Sequence, residues 1–145
     1  MVRAKKHLGQ HFLKNPAVAQ RLAEGVVPGL AKSTLEIGPG TGILTHELLK
    51  RPENLKVVEL DGESVIYLVS EGILPQKSVL ATDFLKLDLK PIFNTSFNLV
   101  GNFPYNISSQ IVFKLLENKE LIPQMVGMFQ KEVADRLVAD EGSKT

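Results

Sequence analysis

Short apolar runs alternate with amphipathic stretches along most of the chain. Asn15-Pro16 pairs an N-cap side chain with a proline at the first helical position. Val18, Leu22 and Val26 then recur at helical spacing, up to a stop at Pro28-Gly29. Thr34 to Ile37 predicts a strand running into Gly38-Pro39-Gly40-Thr41-Gly42, and Ile43 to Lys50 a helix with Leu44 and Leu48 on one face. Lys56 to Leu60 reads as a second strand, Glu63 to Ser70 as a helix, and Val79 to Thr82 as a short third strand. Phe97 to Val100 is a fourth strand, Ser108 to Leu116 a helix, Gln124 to Phe129 a fifth strand and Glu132 to Val138 a last helix. Strands alternating with helices predict an α/β fold with right-handed crossovers and a largely parallel sheet. No repeat or low-complexity segment interrupts it. The sequence stops in the polar stretch Asp140 to Thr145, directly behind a strand–helix unit, where a doubly wound sheet ordinarily continues. It therefore reads as the amino-terminal portion of a longer protein.

Composition narrows the chemistry. A chain of 145 residues is the size of one domain. Charges interrupt the apolar runs every few residues, so none approaches the ~20 needed to span a bilayer. The start is basic without a following apolar stretch, so no secretory signal is visible. The absence of cysteine excludes disulfides, thiolate metal sites and cysteine nucleophiles, and fits a cytoplasmic protein. Net charge is only +1, but Arg3, Lys5, Lys6 and Lys14, with His7 and His11 between them, all precede the first acidic residue, Glu24. Residues 1–14 form a basic arm suited to phosphate contact, and residues 15–145 the domain behind it.

The residues with chemical potential gather at predicted strand ends, where open α/β sheets bind ligands. After the fourth strand comes Gly101-Asn102-Phe103-Pro104-Tyr105. The Asn102 amide oxygen and the carbonyl of Pro104 can accept hydrogen bonds from an exocyclic amine, and Tyr105 can stack on its ring. Asn-Phe-Pro-Tyr fits the Asn/Asp-x-Pro-Tyr/Phe pattern of amino-group methyltransferases; a proline turn closing a strand is the plainer alternative. After the first strand, the G-x-G-x-G spacing from Gly38, with Glu36 two places earlier, suits an adenosyl ligand with an amino-acid tail better than a pyrophosphate. Glu36 can serve the ammonium end of that tail. Glu59 at the second strand end can accept from both ribose hydroxyls. With Leu60 turned inward, Glu59 and Asp61 share a face. Asp83, past the third strand, can accept from an adenine amine, with Phe84 either lining the pocket or in the core. His11 has no partner that would make a triad, and the three histidines suggest no metal site.

Five blocks in one order carry a resemblance: Lys6 to Leu13, Leu35 to Gly42, Val58 to Asp61, Gly101 to Gln110 and Phe129 to Ala139. Together they resemble the bacterial small-subunit ribosomal RNA adenine N6,N6-dimethyltransferases, the kasugamycin-sensitivity family. That resemblance implies a Rossmann-like class I methyltransferase sheet, here its first five strands with flanking helices, ending before the last two strands and a helical RNA-binding domain. It implies S-adenosylmethionine as cofactor. Its methionine end would meet His11, Leu13 and the Gly38 turn, its ribose Glu59, its adenine Asp83, and its reactive centre Asn102. Gln10 and Phe12 match family positions near the cofactor or target base. The implied reaction is dimethylation of two adjacent adenosines in the 3′-terminal hairpin of small-subunit RNA, by a cytoplasmic monomer acting on a pre-30S particle. The family more often has Leu at the place of Phe103 and Asn at that of His11.

With Asn102, Pro104 and Tyr105 as the catalytic set, the expected mechanism is alignment and base holding, without a general base of shifted pKa. Three other readings compete. One is a macrolide-resistance enzyme methylating large-subunit RNA; another is a non-catalytic ribosome-assembly or RNA-binding factor on the same scaffold; the third is a Rossmann dehydrogenase binding NAD.

Overall fold

The computed structural model describes residues 13–103 and 105–128. The expected Glu132 to Val138 helix, the arm residues Gln10, His11 and Phe12, and Pro104 lie outside the described residues.

Five parallel strands make one sheet in the order β3-β2-β1-β4-β5: β1 Ser33–Ile37, β2 Asn54–Val58, β3 Val79–Leu80, β4 Asn98–Asn102 and β5 Met125–Met128. The helices are α1 Pro16–Glu24, α2 Ile43–Leu49, α3 Gly62–Ser70, α4 Lys90–Phe93 and α5 Ser108–Glu117. The chain builds β1, β2 and β3 outward in one direction, then returns to lay β4 on the other side of β1. The switch point of this Rossmann-like sheet therefore lies between β1 and β4, where such folds hold ligands.

Side chains of the central strands alternate between two cores, as the pleat requires. Leu35, Ile37, Val58, Leu99 and Phe103 pack with Phe84, Ile92 and Ile111 on the α5 side. Val100 packs with Ala19, Ala23, Val26, Leu44 and Leu48 on the α1–α2 side. Phe84 is thus core. A third group, Val57, Leu68 and Leu74, sits beneath α3.

The boundaries differ from expectation in instructive ways. The Asn15 side chain caps α1 at the Ala17 N–H, 2.9 Å away. The helix ends at Gly25, however, not at Pro28-Gly29. Arg51 holds the chain there: its guanidinium donates to Ala23 O in the last turn at 3.1 Å and to Val26 O just past the cap at 2.9 Å. The fully buried positions are Ala19 and Ala23, with Val18 and Leu22 at the edge, because α1 packs closely on α2. β2 runs two residues earlier than its apolar pattern suggests, and β4 extends to Asn102.

One close approach fixes the β4–β5 edge. Gly101 and Gly127 are register partners, and the Phe103 ring lies over them. A methyl on Gly127 would sit inside that ring and 2.7 Å from the Gly101 carbonyl oxygen. Gly127→Ala is expected to cost about 1–3 kcal/mol by overpacking. Adding Phe103→Leu should recover part of the loss. Thermal melts of the single and double variants check this, and strictly additive effects would refute the proposed collision.

Candidate functional site

The strand order places the predicted residues side by side. Asp83, Glu59, Gly38 and Asn102 stand at the carboxyl ends of β3, β2, β1 and β4, which are successive neighbours in the sheet. At about 4.8 Å per strand the row spans about 14 Å. The parallel ladder continues into it: Gly38 N–H donates to Val58 O at 2.9 Å and Glu59 N–H to Leu80 O at 3.0 Å.

The glycine turn is built for close approach. Gly38 has φ +65° and Gly40 φ +56°, conformations in which a side chain is strained. A Cβ on Gly38 would lie 3.8 Å from the Asn102 carbonyl oxygen, so the turn and the end of β4 are near neighbours. A cavity of about 20 Å³ opens between them, lined by Leu13, Glu36, Gly38 to Thr41, Ile43, Leu44 and Asn102. That volume fits one small group, such as the charged end of a ligand. Leu13, the expected contact at the base of the arm, is thus among the lining residues.

Glu59 is buried, and its carboxylate fastens the site's own backbone. Oε1 accepts from Gly40 N–H at 3.0 Å and Oε2 from Asp61 N–H at 3.0 Å. Burial pushes the Glu59 carboxyl above its ordinary range, against the backbone N–H groups of Asp61, Gly40 and Leu60 that lower it.

The expectation that Leu60 points inward is corrected: Leu60 is 55% exposed, whereas Glu59 and Asp61 are both buried. The strand ends at Val58, so alternation no longer applies two residues on. Asp61 instead caps α3, with Oδ2 accepting from Ser64 N–H at 3.2 Å and Ser64 Oγ–H at 2.9 Å.

Glu36 alternates to the α1–α2 side of β1, opposite Leu35 and Ile37. It is 1% exposed, and Thr45 Oγ–H of α2, itself fully buried, donates to its Oε1 at 2.5 Å. Burial raises the Glu36 carboxyl to about 8; the Thr45 hydrogen bond lowers it and the nearby Glu59 raises it. Thr45 was not singled out from the sequence. Its place in the first turn of α2, just after the glycine turn, becomes meaningful only once α2 folds back over β1.

Asp83 is half-buried and opens a 3₁₀ turn, Phe84–Lys86, its Oδ1 accepting from Leu85 N–H at 3.0 Å. Asn102 is the last residue of β4 and lines the cavity; Tyr105 begins the 3₁₀ turn Tyr105–Ile107 that leads into α5. Among the described residues no cluster of His, Asp or Glu could hold a metal ion, and no helix is long and apolar enough to cross a membrane.

This arrangement can hold a nucleoside with a charged tail along one row and present a polar acceptor, Asn102, at its end. Comparison with known proteins gives the family. The family model for ribosomal RNA adenine dimethylase matches residues 1–145. A ribosomal RNA small subunit methyltransferase A from Cytophaga hutchinsonii is 51% identical over 148 aligned residues, covering 99% of this chain and 57% of that protein. The crystal structure of a dimethyladenosine transferase from Plasmodium falciparum superposes with a TM-score of 0.72 at 31% identity, over 88% of this chain and 46% of the other. That of a 23S rRNA methyltransferase gives 0.70 at 29% identity, over 90% and 52%. The chain spans about half the length of the curated relatives it matches. It belongs to the ribosomal RNA adenine dimethylase family, whose cofactor is S-adenosylmethionine.

Proposed function

We propose that this chain carries the methyl-transfer site of a small-subunit ribosomal RNA adenine N6,N6-dimethyltransferase. The observation that carries the reading is the row Asp83, Glu59, Gly38, Asn102 across adjacent parallel strands. It fits an adenosyl cofactor on one side and an amine acceptor on the other. When bound, S-adenosylmethionine supplies an electrophilic sulfonium methyl. Asp83 accepts from its adenine amine, Glu59 from its ribose hydroxyls, and Glu36 faces the ammonium, with His11, Leu13 and the Gly38 turn around the methionine end.

On the acceptor side, a flipped adenine amine donates to the Asn102 amide oxygen and the Pro104 carbonyl, while Tyr105 stacks on the base. The two acceptors draw the lone pair out of the ring and aim it. Proximity does the rest, and the proton leaves to water after transfer. The protein acts as a cytoplasmic monomer on a pre-30S particle, at two adjacent adenosines of the small-subunit RNA. The greater likeness to the small-subunit enzyme, 51% against 29% identity, favours that RNA over the large-subunit one.

Primer extension across both ribosomal RNAs after incubation with the protein and S-adenosylmethionine tests the substrate: stops in the small-subunit hairpin support it, and stops only in large-subunit RNA overturn it. Glu59→Gln tests the cofactor side. The carboxamide keeps the shape but turns an NH2 toward one donor, so affinity for S-adenosylmethionine should fall about 100-fold. Calorimetric titration with circular dichroism as a fold check measures it; unchanged affinity removes Glu59 from the site.

A further inference from the structure

Lys114 lies on α5, in the stretch that follows the acceptor tetrapeptide, yet its ammonium is tied to the other half of the site. Nζ donates to Phe84 O and to Leu87 O, each at 2.6 Å, and stands 5.0 Å from the centre of the Phe84 ring. These are backbone groups at the start of the 3₁₀ turn Phe84–Lys86 and just past its end, and Asp83 is the residue that caps that turn. A half-buried lysine with two carbonyl acceptors and an aromatic face is fixed in place, unlike a solvated surface ammonium. Asp83 depends on the same turn, since its own side chain is oriented by the Leu85 N–H within it. Burial pushes the Lys114 ammonium below its ordinary range, while Asp83, Asp88 and Glu117 hold it up.

We propose that Lys114 is a positioning residue that fixes the direction of the Asp83 carboxylate, and so sets the discrimination between a 6-amino and a 6-oxo purine in the cofactor. The inference rests on the reading of Asp83 as the acceptor for the adenine amine. A carboxylate held in one direction accepts from the N6 amine and repels the O6 oxygen of hypoxanthine. Once the turn is loose, the carboxylate loses the amine contact and also the repulsion. Lys114 thereby links α5, which leads away from Asn102 to Tyr105, to the loop that reads the cofactor's base.

The test is calorimetric titration of the whole chain with S-adenosylhomocysteine and with S-inosylhomocysteine. Lys114→Met should weaken the adenosyl ligand and leave the inosyl ligand unchanged or tighter, narrowing the preference about tenfold. Lys114→Arg, which keeps cation and donors, should retain most of the wild-type preference. A general packing defect would instead weaken both ligands in parallel. Should Lys114→Met fail to fold, Lys114→Gln, with one donor group left, gives an intermediate ratio. An unchanged ratio in a folded Lys114→Met or Lys114→Gln chain overturns the proposal. Asp83→Asn separates the two readings. If it too leaves the ratio unchanged, the adenine assignment of Asp83 fails. If it collapses the ratio while the Lys114 variants do not, that assignment stands and only the role of Lys114 is lost.

Discussion

Glu36→Gln is expected to raise the thermal stability of the ligand-free protein at pH 8 and to flatten its pH dependence. The Glu36 carboxyl is held at about 8 against an ordinary 4.5, chiefly by burial. Below about pH 4.5 it is protonated in both folded and unfolded chains and has no effect on stability. Between 4.5 and 8 the unfolded chain releases the proton while the folded chain keeps it, so stability falls as pH rises; above 8 both are ionised and the loss levels off. The loss amounts to on the order of 4 kcal/mol, which at this chain length is roughly 10 °C in melting temperature. Glu59, raised in the same direction, adds to the same slope. Gln at position 36 has no proton to exchange and can still accept from Thr45. Melting curves at pH 5, 6.5 and 8 should therefore converge at the acid end and separate toward pH 8. Parallel curves for the two proteins would show that Glu36 is ionised in the fold.

The same carboxyl explains why stability is given up at this position. On the reading proposed for the site, a ligand ammonium near Glu36 favours the carboxylate, so binding below pH 8 releases a proton and tightens as pH rises. Glu36→Gln gains stability and loses that attraction. The expectation of a mechanism without a general base of shifted pKa concerns the adenine amine alone. Two carboxyls at the site are shifted upward, and on the proposed reading both serve the cofactor rather than the adenine amine.

The sheet and the row of residues at its edge were readable because each rests on local signals. Apolar runs mark β1, β2 and β4, and the G-x-G-x-G turn announces a strand-to-helix junction whose glycines must take positive φ. The parallel, crossover-connected class of the sheet followed from the strand–helix alternation, whereas its β3-β2-β1-β4-β5 order appears only in the fold. What failed depends on distant partners. Period-two alternation was carried past Val58, where the strand had already ended, and so placed Leu60 inward. The chain turns there because Gly40 and Asp61 N–H groups converge on Glu59, and Gly40 comes from another loop. The end of α1 was set by Arg51, about 27 residues downstream of the helix. Thr45 and Lys114 carry no motif at all. Their partners, Glu36 and the turn after Asp83, are identified only by the packing of α2 over β1 and of α5 against the Phe84–Lys86 turn.

Asn102→Ala should lower the rate of the first methyl transfer about 100- to 1000-fold, the usual cost of deleting one preorganised hydrogen-bonding group at a reacting centre. Cofactor affinity should change far less, because the Gly38 turn approaches the Asn102 backbone oxygen, which alanine retains. The second transfer gives a sharper test. On the proposed reading, an unmethylated adenine amine has two N–H groups for two acceptors, Asn102 and the Pro104 carbonyl. After one methylation a single N–H remains and needs only one acceptor. Deleting Asn102 therefore penalises the first transfer more than the second, and the alanine variant should release dimethyl product with little monomethyl product accumulating. Asn102→Asp keeps an acceptor oxygen and should retain part of the first-step rate. Single-turnover assays on the small-subunit hairpin, with nucleoside mass spectrometry to count methyl groups, measure both steps. A first-step rate within a few-fold of wild type would remove Asn102 from the reacting centre. Equal penalties on the two steps would keep Asn102 there but assign the remaining N–H of the monomethylated amine to it.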